Sequence, residues 1–148
     1  MMELYIKKFE ELTNQELYKI IEARINVFVV EQDCPYHECD NKDQDSFHLF
    51  YQEQDQIAAY LRIIPSGLSY PEVSIGRVLV KKEFRRQGLG LKQMQQAISF
   101  IQNNMDTEVV RISAQEYILD FYKSLGFEVV SDRYLEDDIP HYEMLLKL

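Results

Sequence analysis

The order of apolar and polar positions divides the chain into short periodic segments. Leu4-Tyr5-Ile6-Lys7-Lys8-Phe9 reads as a first strand. Thr13-Asn14-Gln15-Glu16 is a capping box, with Leu12 and Leu17 as the hydrophobic staple, so a helix is predicted from about Asn14. Its apolar face runs through Leu17, Ile20, Ile21, Ile25 and Phe28 at spacings of three and four, and it should end near residues 29–32. Residues 33–45 are polar and aperiodic and predict a long ordered loop. Phe47–Gln52 and Ile57–Ile64 predict a hairpin turned at Gln54-Asp55, ended by Pro65-Ser66-Gly67, and Val73–Val80 predicts the next strand. A helix carrying Met94, Ala97, Ile98, Ile101 and Met105 on one face follows. Then come a strand at Val109–Ser113, a short helix at Gln115–Leu125 stopped by Gly126, and strands at Phe127–Val130 and Tyr142–Leu146. The order β-α-β-β-β-α-β-α-β-β predicts an α/β (α+β) domain spanning 1–148, with helices on both faces of one sheet.

Composition narrows the class. A chain of 148 residues can bury about 68–70% of its unfolded surface. It therefore needs neither disulfides nor a metal to fold. The net charge of −9 argues against nucleic acid as a partner. No apolar run approaches the roughly 20 residues of a membrane helix, and no export signal is visible. With only Cys34 and Cys39, reduced thiols in the cytoplasm are expected. Cys34, His37, Cys39 and His48 fit no usual zinc spacing, so no metal is expected.

Charge is unevenly placed. From Arg77 to Lys92 there are six basic residues (Arg77, Lys81, Lys82, Arg85, Arg86, Lys92) against the single acid Glu83. This patch coincides with Arg85-Arg86-Gln87-Gly88-Leu89-Gly90, lying between a predicted strand and a predicted helix. Glycines let the backbone approach a ligand, and the unpaired N–H groups of a helix start attract anions. No Gly-Lys-Ser/Thr follows Gly88, which excludes a Walker loop, and Gln93 stands where a dinucleotide loop would carry its third glycine. Two acidic stretches, 31–45 and 132–143, are candidates for attracting a cationic ligand if both border one cleft.

The pattern Arg-x-x-Gly-x-Gly after a strand resembles the acyl-CoA diphosphate loop of the GNAT family of N-acetyltransferases. A second signature, Phe121-Tyr122-Lys123-Ser124-Leu125-Gly126-Phe127, follows in the order that family shows. Segments 24–36, His48, Ser113-Ala114-Gln115 and 136–141 are similar to the ElaA-type subgroup. The resemblance implies the acyl-CoA N-acyltransferase fold, with a mixed, mostly antiparallel sheet. It implies transfer of an acetyl group from acetyl-CoA, by direct attack, to a primary amine of a small molecule or peptide. Backbone groups of Val78, Leu79 and Val80 would hold the pantetheine arm. The amides of Arg85, Arg86, Gln87, Gly88, Leu89, Gly90 and Leu91 would hold the diphosphate. Gln115 stands where many members carry a cofactor-contacting asparagine, and Tyr122 would protonate the leaving thiolate. The glutamate that some members place on the fourth strand is missing from residues 74–80, which leaves Glu31, His48, Asp138 and His141 as candidates for the base or the acceptor site. A non-catalytic acyl-CoA sensor is the alternative. Edge strands would allow a homodimer.

Overall fold

The computed structural model describes residues 2–148. Eight strands form one sheet: β1 (Met2–Lys8), β2 (Phe47–Glu53), β3 (Gln56–Ile64), β4 (Val73–Val80), β5 (Val109–Gln115), β6 (Glu128–Val129), β7 (Tyr134–Glu136) and β8 (Ile139–Lys147). The strand order is β1-β2-β3-β4-β5-β8-β6, and β7 also pairs with β8. Every pair is antiparallel except β4–β5. Three α-helices accompany the sheet: α1 (Asn14–Arg24), α2 (Leu89–Asn104) and α3 (Leu119–Ser124). No helix among the described residues is long and apolar enough to cross a membrane.

Strand side chains alternate between faces, so each face carries its own core. On one face Leu49, Leu61 and Ile63 pack with Met94, Ala97 and Ile101 of α2, continuous with Tyr122 and Phe127. On the other, Phe50, Tyr60 and Leu79 pack with Ile20, Ala23 and Val27. This bears out the expected mixed sheet with helices on both faces.

The start of α1 is sealed as expected: Thr13 Oγ1 accepts from Glu16 N at 3.0 Å, and Glu16 Oε1 accepts from Thr13 N at 2.9 Å. Its far end differs from the expectation. Beyond Arg24 the chain widens into a π-helical segment, Ile25–Glu31, with Gln32 N donating to Val27 O at 3.2 Å. The wider turn rotates the face: Arg24 is fully buried, whereas Ile25 is 37% exposed. Simple 3.6-residue spacing cannot anticipate that shift.

Two further boundaries move. β5 runs on through Gln115, and α3 begins only at Leu119 after a 3-10 turn. β7 was not anticipated; it forms a hairpin with β8 through Asp137 and Asp138, both at positive φ. Aspartate tolerates that conformation, so the Asp-Asp pair was the available signal, hidden within an acidic stretch that read as loop. Gly126 takes φ +102 at the predicted left-handed position after α3.

Candidate active site

The register of β4 creates the site. β4 pairs with β5 only through Val73↔Val110 and Ser74↔Arg111. From Ile75 onward the two strands diverge, so their facing edges lack a neighbouring strand. On its other side β4 stays paired with β3, but Arg77 and Val78 together stand opposite Leu61 alone. This bulge places Arg77 at φ +53 and re-aims the backbone beyond it. The divergence opens a cleft of about 760 Å³, lined by Val78, Leu79, Val80, Gln115 and Tyr122.

One end of the cleft is the start of α2. Gly88 is its N-cap at φ +76, and the first intrahelical bond runs from Lys92 N to Gly88 O at 3.1 Å. Leu89, Gly90 and Leu91 therefore keep the outward-pointing N–H groups of a first helical turn. The capping box of α1 satisfies such donors, whereas α2 has no side-chain cap and no acid in its first turn. A bare, glycine-started helix end beside a cleft suits a diphosphate. A Cβ at Gly90 would meet Val80 and Phe121 at 3.7 and 3.9 Å, ordinary contact distances, so this position abuts β4 and α3 without requiring glycine for space.

Not every nearby cation is free for an anion. The Arg85 guanidinium donates to both carboxylate oxygens of Glu31 at 2.6 and 2.9 Å and through Nε to Val80 O at 2.8 Å. The Arg85 amide is occupied as well, donating to Lys82 O at 3.4 Å. Arg77 turns to Glu38 and Asp40. Thus two of the six cations of the basic stretch are neutralised within the protein. Among the described residues Lys82, Arg86 and Lys92 form no ion pair with a protein carboxylate. Val80 has its carbonyl on Arg85 and Leu79 its carbonyl on Gln93 Nε2 at 3.1 Å, so further hydrogen bonding to this stretch must rely mainly on other backbone groups.

Tyr122 lines the cleft from α3, only 7% exposed, edge-on to Phe121 and Phe127. Burial, with a smaller contribution from nearby Tyr117, pushes its phenol well above the usual range. It is thus fully protonated at neutral pH, though a weaker acid than a free tyrosine. Gln115 lines the cleft, its Nε2 donating to Gln32 Oε1 at 3.3 Å.

The four candidates for base or acceptor contact separate clearly. Glu31 borders the cleft but is held by Arg85. His48 is fully buried in the α1-side core; its Nε2 donates to Asp43 O at 2.9 Å and its Nδ1 accepts from Tyr60 OH at 2.6 Å. Burial holds its pKa below the ordinary value. It is a core histidine, out of reach of the cleft. Asp138 occupies the β7–β8 turn at φ +62 and does not line the cleft, whereas its neighbour Asp137 does. His141 lines the cleft, and the register sets it between Gln115 of β5 and Tyr134 of β7.

The first acidic stretch proves largely internal. Asp43 Oδ1 accepts from Arg24 at 2.8 Å and from Arg62 at 2.9 Å. Glu38 pairs with Arg24 and Arg77, and Asp40 with Arg62. The arginines beside Asp40 and Asp43 outweigh burial and hold both carboxyls below the usual range. These ion pairs tie the 33–46 loop to β3 and β4 as a cleft wall. The second stretch is more open: Glu136 and Asp137 line the cleft, while Glu143 is paired with Arg111. Tyr36, Ser113 and Glu136, which lie in the segments that carried the subgroup resemblance, also line the cleft, as do Arg62, Tyr70 and Ser74, which no local motif marked. Cys34 is buried with Sγ toward Asp137 O, and Cys39 is exposed.

Residues 9–148 match the family model for an acetyltransferase (GNAT) domain. The chain is 42% identical over 149 residues to a UPF0039 protein of Schizosaccharomyces pombe, covering 99% of this chain and 98% of that one. It is 36% identical to Escherichia coli ElaA over 136 residues, covering 90% and 89% of the two chains. The crystal structure of E. coli ElaA superposes with a TM-score of 0.93 at 34% identity, covering 99% and 100%. An acyl-CoA N-acyltransferase from Pseudomonas aeruginosa superposes at 0.91 with 39% identity over 99% of both chains. With a split β4–β5 edge, a bare helix start and these relatives, the chain belongs to the GNAT acetyltransferase family, whose chemistry is acyl-CoA-dependent acyl transfer.

Proposed function

We propose that the protein transfers an acetyl group from acetyl-CoA to a primary amine of a small molecule or peptide. The observation that carries this reading is the pairing of two features on one cleft: an uncapped, glycine-started helix at one end and a buried phenol inside. The N–H groups of Leu89, Gly90 and Leu91, aided by the amides of Arg86, Gln87 and Gly88, would hold the diphosphate of coenzyme A. The open edge at Val78–Val80 would take the pantetheine arm as it would an added strand. Arg85 serves indirectly, holding Glu31 and the end of β4 in place. When bound, acetyl-CoA supplies an activated carbonyl and a thiol leaving group. Tyr122 OH, itself buried in the cleft, supplies a proton to the departing sulfur.

Direct attack suits the site better than a covalent enzyme intermediate. Burial raises the Cys34 thiol above its usual range, and Asp137, Asp138 and Asp33 add to the effect. A thiol so shifted is a poor nucleophile at neutral pH.

Calorimetric titration with coenzyme A, followed by thiol release from acetyl-CoA against a panel of amines, tests the reading. Binding with amine-dependent thiol release is the expected result. Binding without release from any amine would instead mark an acyl-CoA sensor, and no binding at all would refute the cofactor assignment.

A further inference from the structure

We propose that His141 is the general base of this transfer, that Glu136 stabilises its protonated form, and that the substrate is therefore an alkylammonium, charged when it arrives. The inference rests on the acyl-transfer reading above. Strand β4 has no carboxylate between Val73 and Val80, Glu31 is committed to Arg85, and His48 lies in the core. His141 is different in each respect. It borders the same cleft as Tyr122, is 5% exposed, and has one ring nitrogen already assigned.

Its Nδ1 lies 2.7 Å from Ile139 O. A carbonyl only accepts, so Nδ1 carries the hydrogen, and in the neutral ring Nε2 holds the lone pair. Nε2 faces Glu136 Oε2 at 3.6 Å, beyond hydrogen-bond length for a neutral ring but within ion-pair range once Nε2 is protonated. Glu136 is anchored in turn: its Oε1 accepts from Ser113 Oγ at 3.4 Å, and that hydroxyl also bonds to Tyr134. Tyr134 stacks on the imidazole at a centroid distance of 6.0 Å and fixes the ring plane. The remaining titratable groups around the ring are Asp137 and Asp138 in the adjoining turn, Cys34 against Asp137 O, Glu143 two residues along β8, and Tyr70 near Tyr134. Glu143 is neutralised by Arg111. The carboxylates of Glu136 and Asp137 thus line the cleft on the side of Nε2, where an arriving cation would meet them.

The protons balance as follows. The ammonium gives one proton to His141 Nε2, and its nitrogen forms the N–C bond with the acyl carbon. The C–S bond breaks, and sulfur takes the proton of Tyr122. The second proton of the attacking nitrogen restores Tyr122, while the first leaves His141 for solvent. No oxidant, reductant or further reactant is required.

The test has two arms. In ¹⁵N NMR of the imidazoles at pH 8, His141 should show a protonated Nδ1 and a bare Nε2, opposite to His48, whose Nε2 donates to Asp43 O. A bare Nδ1 in His141 would overturn the assignment without any turnover. In the kinetic arm His141→Gln should lower kcat for an alkylammonium acceptor about 10²-fold at pH 7, with coenzyme A affinity unchanged. Turnover of an amine already neutral at pH 7, such as methoxyamine, should fall less than threefold, a selectivity that a structural defect would not produce. Glu136→Gln, at a side chain 52% exposed, provides a variant with little risk to folding. It should show the same selectivity at about 10-fold. Wild-type kcat for the alkylammonium, or an equal loss for methoxyamine, in either variant would overturn the proposal. Failure of the wild type to turn over any amine would instead overturn the transfer reading on which it rests.

Discussion

Replacing Asp43 by Asn should destabilise the protein by about 3–4 kcal/mol. One carboxylate oxygen bridges two guanidiniums, Arg24 at 2.8 Å and Arg62 at 2.9 Å. Arg24 is fully buried and Arg62 is 3% exposed. Three arginines (Arg24, Arg62, Arg77) face three carboxylates (Glu38, Asp40, Asp43), so the cluster is balanced as it stands. The substitution leaves three positive charges against two, and the two guanidiniums that lose their shared carboxylate, Arg24 and Arg62, are the buried ones. Removing one partner of a buried ion pair costs about 3–5 kcal/mol. Asparagine keeps one acceptor oxygen, and the backbone carbonyl that accepts from His48 survives, which places the loss in the lower part of that range. At about 2–4 °C per kcal/mol for a chain of this size, Tm should fall by about 6–16 °C. The chain has no tryptophan, so urea unfolding is followed by tyrosine fluorescence and far-ultraviolet circular dichroism. Asp45→Asn, at an exposed position two residues away, is the control and should stay within about 0.5 kcal/mol. A loss below about 1 kcal/mol for Asp43→Asn at unchanged m-value would refute the view that this carboxylate neutralises the buried arginines.

The same cluster sets a pH dependence. The carboxyls of Asp40 and Asp43 are held below their ordinary value in the folded state, so their contribution is complete above about pH 4 and is lost as pH falls further; urea midpoints measured from pH 6 to pH 2 should decline mainly below pH 4. Gly88→Val should weaken coenzyme A binding at least about 10-fold by calorimetry, because a β-branched residue at φ +76 distorts the helix start. Tyr122→Phe should lower kcat roughly 10²-fold while coenzyme A affinity stays within twofold; an unchanged kcat would remove the acid role. Gly126→Ala should cost about 1–3 kcal/mol in denaturant unfolding, since the residue sits at φ +102 and a new Cβ would lie 3.1 Å from Leu146 Cδ1. With iodoacetamide at pH 7.5, mass spectrometry should find Cys39 modified well before Cys34, whose thiol is buried and shifted upward.

What the amino-acid order determined by itself is local. Thr13 and Glu16 specify a helix start, Gly126 marks a left-handed position, and apolar periodicity locates the main strands and helices. These features depend on residues within a few positions of one another, so spacing alone reveals them. The glycine loop and Phe121–Phe127 segment likewise carried the family resemblance. Tertiary structure alone decided which charges are available. Arg85 meets Glu31 across 54 positions, and Arg77 meets Glu38 across 39, removing from the basic stretch cations that a charge count had credited to it. It also decided between the two histidines: strand pairing seals His48 in the α1-side core and sets His141 on β8 between Gln115 and Tyr134, where it lines the cleft. The cleft exists because β4 and β5 separate after two paired positions, and the register of a long-range parallel pair has no local signature.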